Sequence, residues 1–461
     1  MKKVTLIYPP CIYPFKKNIV YSHCIGIRSI SAFLKREGNY QVHFLDALMQ
    51  GFQNVRPYSN GYIVGLETSD IVKRIPEDTD VIGISVPFSI LAPIVHDIAD
   101  AVKTRFPQAK VVLGGIYPST QPKLALTSQA DYIVIGEGET AFKDIADGKD
   151  PKTIKGVYSR DQINNTVFPT AYKIEDLDSL PYPDYTIPFM DEYFNLSPRR
   201  TIGRTASVTT SRGCPFKCEF CSIHPVYGQK FRARTPKSVI EELQYLVDTH
   251  GITMIEFEDD NLTLQKDRAI EIFEGIIRMN EKGANLSWRT PNGVRIDTLD
   301  EEIISVIAKS NCANITLALE HGDQEMLKIM QKQLRLPKVK EVLRLIKKYN
   351  IPDVVLFMIA GYPGETLAYF ENSVKFLKEI REINPHMKMI VNMLQPYPGT
   401  AVFRRCMAEG YIKDPDFDNF LLRKDLTSSR HYVAVTTPDF DEKEVIRRRD
   451  IWESIYDAVP R

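Results

Sequence analysis

The sequence predicts an α/β protein in two sheet-forming parts: a doubly wound, mostly parallel sheet, then a partial (β/α)6 barrel with a small carboxy-terminal cap. Three observations predict it. Short β-rich apolar runs alternate with amphipathic segments over residues 1–147. The rhythm fades over 148–200 and resumes from 201 with six further β-then-α units. At 461 residues the chain also exceeds what one compact core accommodates.

In the first part, strands are expected at 4–8, 41–45, 81–85, 110–113 and 132–135, with helices at 25–37 and 94–106 among the segments between them. The strands end in loops carrying Pro9-Pro10, Asp46, Ser85, Gly114-Gly115 and Gly136-Glu137-Gly138-Glu139. Ligands of open α/β sheets sit at the carboxyl ends of the strands, so these loops are expected to line one crevice. Residues 148–200 are polar, aromatic-rich and punctuated by Pro169, Pro181, Pro183, Pro188 and Pro198, which reads as a linker with a small hairpin. Barrel strands are expected at 206–210, 254–258, 286–289, 314–319, 354–359 and 387–393. The helix after the first of them is fully signed. Thr235 caps it and Pro236 takes its first position, Val239, Ile240, Leu243, Leu246 and Val247 share a face, and Gly251 ends it. Barrel chemistry belongs at the carboxyl ends of the strands, in 201–395, with 396–461 as the cap.

Bulk properties exclude some functions. Hydrophobic content of 43% and charged content of 26% are ordinary for a globular protein. Lysine plus arginine and aspartate plus glutamate both number 59, which gives no reason to expect nucleic acid or an anionic membrane. The longest uncharged run, 81–96, contains Pro87 and Pro93 and is too short to span a bilayer. Lys2-Lys3 and the apolar run after them resemble a signal peptide, but Pro9, Pro10 and Pro14 break it and no cleavage site follows. Seven cysteines, three of them within eight residues, do not read as a disulfide framework, so a reducing cytoplasm is expected.

The decisive stretch is Thr210-Ser-Arg-Gly-Cys214-Pro-Phe-Lys-Cys218-Glu-Phe-Cys221, directly after a predicted strand. Its C-x3-C-x2-C spacing puts three thiols on one loop at the barrel mouth. Three thiolates on a four-iron cubane leave one iron open to chelate a ligand through amino and carboxylate groups. A structural zinc site completed by His224 is an alternative, although no second ligand pair is visible. A four-cysteine cluster would need the distant Cys312. Simple buried thiols would not need the spacing.

With the loops that follow it, this stretch resembles the radical S-adenosylmethionine (SAM) superfamily. Phe220 matches the aromatic residue before the last cysteine, and Glu258-Asp259-Asp260-Asn261 matches the polar segment near the methionine amino group. Asn292-Gly-Val-Arg295-Ile-Asp297 resembles the segment whose arginine reaches the carboxylate. Ala318-Leu-Glu320-His-Gly322 resembles the motif whose glutamate contacts the ribose or methionine end. Gly361-Tyr-Pro-Gly364-Glu365-Thr366 and Gln395-Pro-Tyr-Pro-Gly399-Thr400 resemble the adenine-side segments. The resemblance implies a 4Fe-4S cluster that reduces SAM to methionine and a 5′-deoxyadenosyl radical, which takes hydrogen from an unactivated carbon. It also implies an electron donor such as flavodoxin or ferredoxin.

The loops of 1–147 resemble the Rossmann-like cobalamin-binding domain that precedes many radical enzymes. Asp46-Ala-Leu48-Met-Gln-Gly51 keeps the aspartate and glycine of its first motif but has Leu48 in place of the cobalt-ligating histidine. Ser85-Val-Pro87 stands for the second motif, with 26 residues between it and Gly114-Gly115, and Gly136 and Glu137 lie on the next loop. Only glycine lets backbone approach a nucleotide tail closely. The alternative is a vestigial domain that no longer binds corrin. His23 and His43 are candidates to approach the cobalt instead, although such lone histidines are more often ordinary core or surface residues.

The whole chain is identified as a member of the cobalamin-binding, methyltransferase-like (class B) radical SAM enzymes. The expected reaction is methylation of an unactivated carbon of a small molecule, lipid or peptide. A cyclisation or rearrangement without methyl transfer stands second, and a non-catalytic zinc-stabilised binding protein third. The substrate is expected between the domains, with Arg430, His431 and Tyr432 of the cap as polar candidates. The sequence marks no catalytic side chain.

Overall fold

A computed structural model describes residues 1–456 except 14–15, 17–23, 59–60, 166, 169–172, 197–202 and 413–432, so His23, Arg430, His431 and Tyr432 lie outside the described residues. The chain forms two compact units. One comprises 1–199, 222–228 and 414–428, and the other 200–221, 229–413 and 429–461.

The first unit is built on a six-stranded sheet. Its strands are β1 (Lys2–Tyr8), β2 (Tyr40–Asp46), β3 (Val81–Ser85), β4 (Lys110–Gly114), β5 (Tyr132–Val134) and β6 (Val157–Ser159), in the order β2-β1-β3-β4-β5-β6. All neighbours are parallel except β5 and β6. Apolar runs in β1, β3 and β4 bury both faces, with Ile7, Ile82, Val111 and Leu113 fully inaccessible, as a sheet covered on both sides requires. Strand order reverses between β1 and β3, the point where such sheets open a crevice at their carboxyl ends.

Residues 148–196, expected as a linker, are bound to this unit. β6 extends the sheet, Asp184 accepts from Ser31 Oγ at 2.6 Å and pairs with Lys35 Nζ at 2.6 Å, and the Tyr193 hydroxyl donates to Asp46 at 2.7 Å. A three-stranded antiparallel ribbon of Cys11–Tyr13, Gly61–Val64 and Val55–Tyr58 was not expected, because strands of three or four residues leave little periodicity to read.

The second unit contains β7 (Thr205–Val208), β8 (Met254–Phe257), β9 (Ser287–Arg289), β10 (Cys312–Glu320), β11 (Val354–Ala360) and β12 (Lys388–Met393). They lie in chain order, every pair parallel, with β7 and β12 at opposite edges: an open, partial barrel. Its first helix, Pro236–His250, is capped as expected. Thr235 accepts from the Ser238 amide, and Gly251 ends the helix at φ 62°, where a side chain would be strained. Trp288 of β9 stacks on Phe273 at 4.6 Å and gives its indole proton to Ser310, filling the layer between strand and helices. The carboxy-terminal helix, Glu442–Ile455, packs on β11, β12 and helix Leu367–Ile383, burying Trp452 completely.

Candidate active site

The loop after β7 is anchored before its first cysteine. Asp259, at the end of β8, accepts from the Thr210 amide at 3.1 Å and hydroxyl at 2.7 Å, and also from the Ser211 hydroxyl. The Thr210 carbonyl accepts from the Arg234 amide at 2.9 Å and Arg268 Nη2 at 2.8 Å. Asp260 accepts from the Gly213 amide at 3.0 Å, and burial pushes its carboxyl up to about 7. Asp259 and Asp260 thus shape the cysteine loop through its backbone and hydroxyls.

Cys214, Cys218 and Cys221 are free thiols, each half-buried. Asn261 Nδ2 stands 4.0 Å from Cys214 Sγ, and Asn261 Oδ1 is buried with no partner among the described residues. Arg295 Nη1 lies 3.6 Å from Cys218 Sγ. Burial pushes the Cys218 thiol up, while Lys332 and Arg295 pull it down. Among the described residues no three His, Cys, Asp or Glu side chains converge on one ion. A four-iron cubane does not ask for that, since each thiolate takes a different iron. The donor set, three thiols beside two cations, fits such a cluster.

Glu219, between the second and third cysteines, ties the loop to the rest of the unit. Its carboxylate accepts from Tyr362 Oη at 3.0 Å and Gln331 Nε2 at 3.1 Å and faces Arg405 at 3.9 Å. Its amide donates to the Met330 carbonyl at 3.1 Å, and its carbonyl accepts from the Val402 amide at 3.0 Å. Phe220 meets Tyr362 edge-on at 6.5 Å.

Glu320, at the end of β10, is 7% exposed and pairs with the equally buried Lys332 at 3.0 Å. It adopts φ 70°, and the β10–β11 register shifts just before it. A non-glycine residue held there costs about 1–3 kcal/mol, which the surrounding packing must offset. Behind it His321, Glu365 and Arg448 form a buried triad. His321 Nδ1 accepts from the Asp323 amide at 3.0 Å, so its proton is on Nε2 and points to Glu365 at 2.8 Å, and Arg448 Nη1 binds the other Glu365 oxygen at 3.0 Å. Gly361 has φ 76°, and a Cβ there would meet Val445 of the carboxy-terminal helix at 3.0 Å, so the missing side chain makes room for that helix. Gln395, half-buried after β12, accepts from the Tyr397 amide at 2.9 Å through its carbonyl.

In the first unit Ser85 and Gly114 are register partners at the ends of β3 and β4. Gly115 has φ 115° and a Cβ there would strike the Val86 carbonyl at 2.7 Å, whereas a Cβ on Gly114 would meet nothing within 4 Å. The space beside Gly114 is therefore open, and the turn at Gly115 is closed to any side chain. Gly136, at φ 90°, donates to Ser119 Oγ at 2.9 Å. Glu137 is buried and accepts from the Ile174 amide at 2.7 Å, pinning the wrapping segment. Leu48 is fully buried. Gly51 is required because a Cβ would lie 2.2 Å from the Leu66 amide. His43 sits mid-strand, and burial holds its imidazole below the usual range.

Glu219, Lys332 and Arg448 carry no mark in the sequence, whereas Asn261, His321 and Glu365 stand inside the resembling segments without a role of their own; the contacts of all six are made between separate segments.

Comparison with known proteins places both parts. Residues 208–377 match the model of the radical SAM superfamily, and residues 20–146 match that of the B12 binding domain. The chain is 28% identical over 449 residues to the cytidylyl-2-hydroxyethylphosphonate methyltransferase of Streptomyces wedmorensis, covering 88% of this chain and 80% of that one. It superimposes on the radical SAM methyltransferase TsrM of Kitasatospora setae, solved with cobalamin and a 4Fe-4S cluster, with a TM-score of 0.67 at 18% identity over 90% of this chain and 76% of that one. The cobalamin-dependent SAM radical enzyme OxsB, solved with aqua-cobalamin and SAM, gives 0.75 at 17% over 98% of this chain and 66% of that one. At these identities the two structures establish the fold. The chain carries a B12-binding domain followed by a radical SAM domain, the two-domain arrangement of a cobalamin-dependent radical SAM enzyme.

Proposed function

We propose that the chain methylates an unactivated carbon of a small-molecule substrate, using a 4Fe-4S cluster, SAM and cobalamin. The observation that carries this reading is the loop with Cys214, Cys218 and Cys221, half-buried beside Arg295 and Lys332 on a chain that also has a B12-binding domain. Bound together, the cluster and SAM supply a carbon-centred radical, and the corrin supplies the methyl group. Methyltransferase relatives such as the Streptomyces protein favour that outcome.

In this reading the chain's own residues bind, orient and exclude water. The three thiolates hold the cluster, Glu219 and Asp259 fix the loop that presents them, and Phe220 shields one side. Glu320 and Asp260 face the cosubstrate, with Gly361 and Gln395 on its adenine side. Ser85, Gly114 and Gly115 take the corrin's nucleotide tail, with Gly136 and Glu137 on the neighbouring loop. Residues 1–147 serve as the cobalamin domain, 148–200 as its connection, 201–395 as the radical domain and 396–461 as the cap. The proposal includes a flavodoxin- or ferredoxin-type electron donor, a cytoplasmic setting and no nucleic-acid partner. No helix among the described residues is long and apolar enough to cross a membrane.

Anaerobic reconstitution tests it. A brown protein with about four irons, a corrin absorbance, and both S-adenosylhomocysteine and 5′-deoxyadenosine as products is expected. 5′-Deoxyadenosine alone would exclude methyl transfer, and stoichiometric zinc without sulfide would exclude the radical reading.

A further inference from the structure

We propose that Arg295 positions the cluster rather than the cosubstrate: its guanidinium holds the Cys218 sulfur and raises the cluster's reduction potential. This rests on reading Cys214, Cys218 and Cys221 as cluster ligands.

The geometry leaves Arg295 little else to do. Arginine has five N–H donors, and four are committed. Nε donates to Asp297 Oδ1 at 3.0 Å, Nη2 to Asp297 Oδ2 at 2.9 Å and the Lys332 carbonyl at 2.7 Å, and Nη1 to Cys218 Sγ at 3.6 Å. Its guanidinium carbon lies 3.5 Å from the centroid of the Phe216 ring, on the same cysteine loop, and the residue is 6% exposed. A two-pronged pair with Asp297 and a stacked face fix the fork in place. One N–H remains, so it cannot grip a free carboxylate with both prongs without giving up a contact it already has.

A hydrogen bond to a ligating sulfur withdraws charge from the cluster, and a nearby cation stabilises the more negative, reduced state. Asp297 offsets part of the arginine's charge, so the directed N–H···S contact carries the larger share. Lys332, 4% exposed and paired with Glu320, adds a second cation beside the same loop and faces Phe220 at 6.0 Å. In such a dry setting charge acts more strongly than in water. The predicted consequence is a cluster that accepts its electron from a donor more readily.

The test uses the full chain, reconstituted anaerobically, with the cluster's midpoint potential read by spectroscopic potentiometry and SAM affinity read separately on the oxidised cluster. Arg295→Met and Arg295→Lys should keep wild-type iron and sulfide content. Both potentials should move negative, the methionine variant further, while SAM affinity changes by no more than a few-fold. An unchanged potential with an intact cluster overturns the proposal, as does a large loss of SAM affinity with the potential unmoved. If Arg295→Met takes up no iron, Arg295→Lys decides by the same criterion. Failure of both variants to hold iron also overturns it, because the residue would then be needed only to build the loop. A wild-type chain that takes zinc and no sulfide defeats the cluster reading itself, a result distinct from all of these.

Discussion

Glu219 stands between Cys218 and Phe220, two residues that the cysteine spacing makes conspicuous, and nothing in the local sequence marks it. Its partners, Gln331 and Tyr362, lie more than a hundred positions away, so only the folded chain reveals it. Glu219→Ala leaves the buried Tyr362 hydroxyl without its acceptor, at a cost of about 1–3 kcal/mol, and should lower both Tm and iron content. Tyr362→Phe removes the hydroxyl as well as the bond and should cost under about 1.5 kcal/mol. A second residue gives a pH dependence. Burial pushes the Asp46 carboxyl up to about 6, against the opposing bonds from the Met49 amide and Tyr193. The folded first unit therefore holds that proton more tightly than the unfolded chain does. Asp46's contribution is fully present below about pH 4 and is lost as pH rises to about 6, roughly 3 kcal/mol in all. Hydrogen exchange of the Tyr40–Asp46 amides should show wild type losing protection relative to Asp46→Asn between pH 4.5 and 7. Equal changes in both proteins would contradict this assignment.

Among the elements, those with strong periodicity and clear end signals were legible almost to the residue. Helix Ile25–Glu37 and strand Val81–Ser85 fall where the pattern puts them, and Thr235 and Gly251 bound their helix as their chemistry requires. β6 and the antiparallel ribbon were not legible, since three or four residues are too few to establish an alternation. The carboxy-terminal helix shows a different gap. Its sequence is largely polar, and beside the buried Val445 and Trp452 it is tied down by one buried arginine reaching a glutamate 83 positions earlier. Arg448→Met leaves the buried Glu365 charge with its His321 hydrogen bond but without its cation and should destabilise by about 3–5 kcal/mol. Limited proteolysis should then cut within 442–455 at protease levels that wild type resists.

At the scale of the whole molecule, the cofactor-binding loops are marked by local spacing, and spacing survives in a sequence. Three thiols within eight residues and a paired glycine at a strand end are visible without a fold. The surroundings of the thiols, Asn261 beside Cys214 and Arg295 and Lys332 beside Cys218, are assembled from different strand ends, and no window along the chain contains them. Because each unit has its own core, the two cofactors should load independently. Gly115→Val, which forces a side chain against the Val86 carbonyl at φ 115°, should abolish corrin absorbance and leave the iron content of the second unit unchanged. Cys218→Ala should do the converse and abolish 5′-deoxyadenosine formation. Loss of both cofactors in either variant would show that the units do not mature separately.

The web around Glu219 bears on synthesis as well. A short peptide spanning 210–221 would contain every thiol of the site and could wrap an iron–sulfur cluster in solution. It would lack Met330, Gln331, Tyr362, Val402 and Arg405, which hold Glu219 and hence the turn between the second and third thiols. Such a peptide would reproduce the metal's coordination without its shape, so a transplantable version of this centre must carry the fourth, fifth and sixth strands with it.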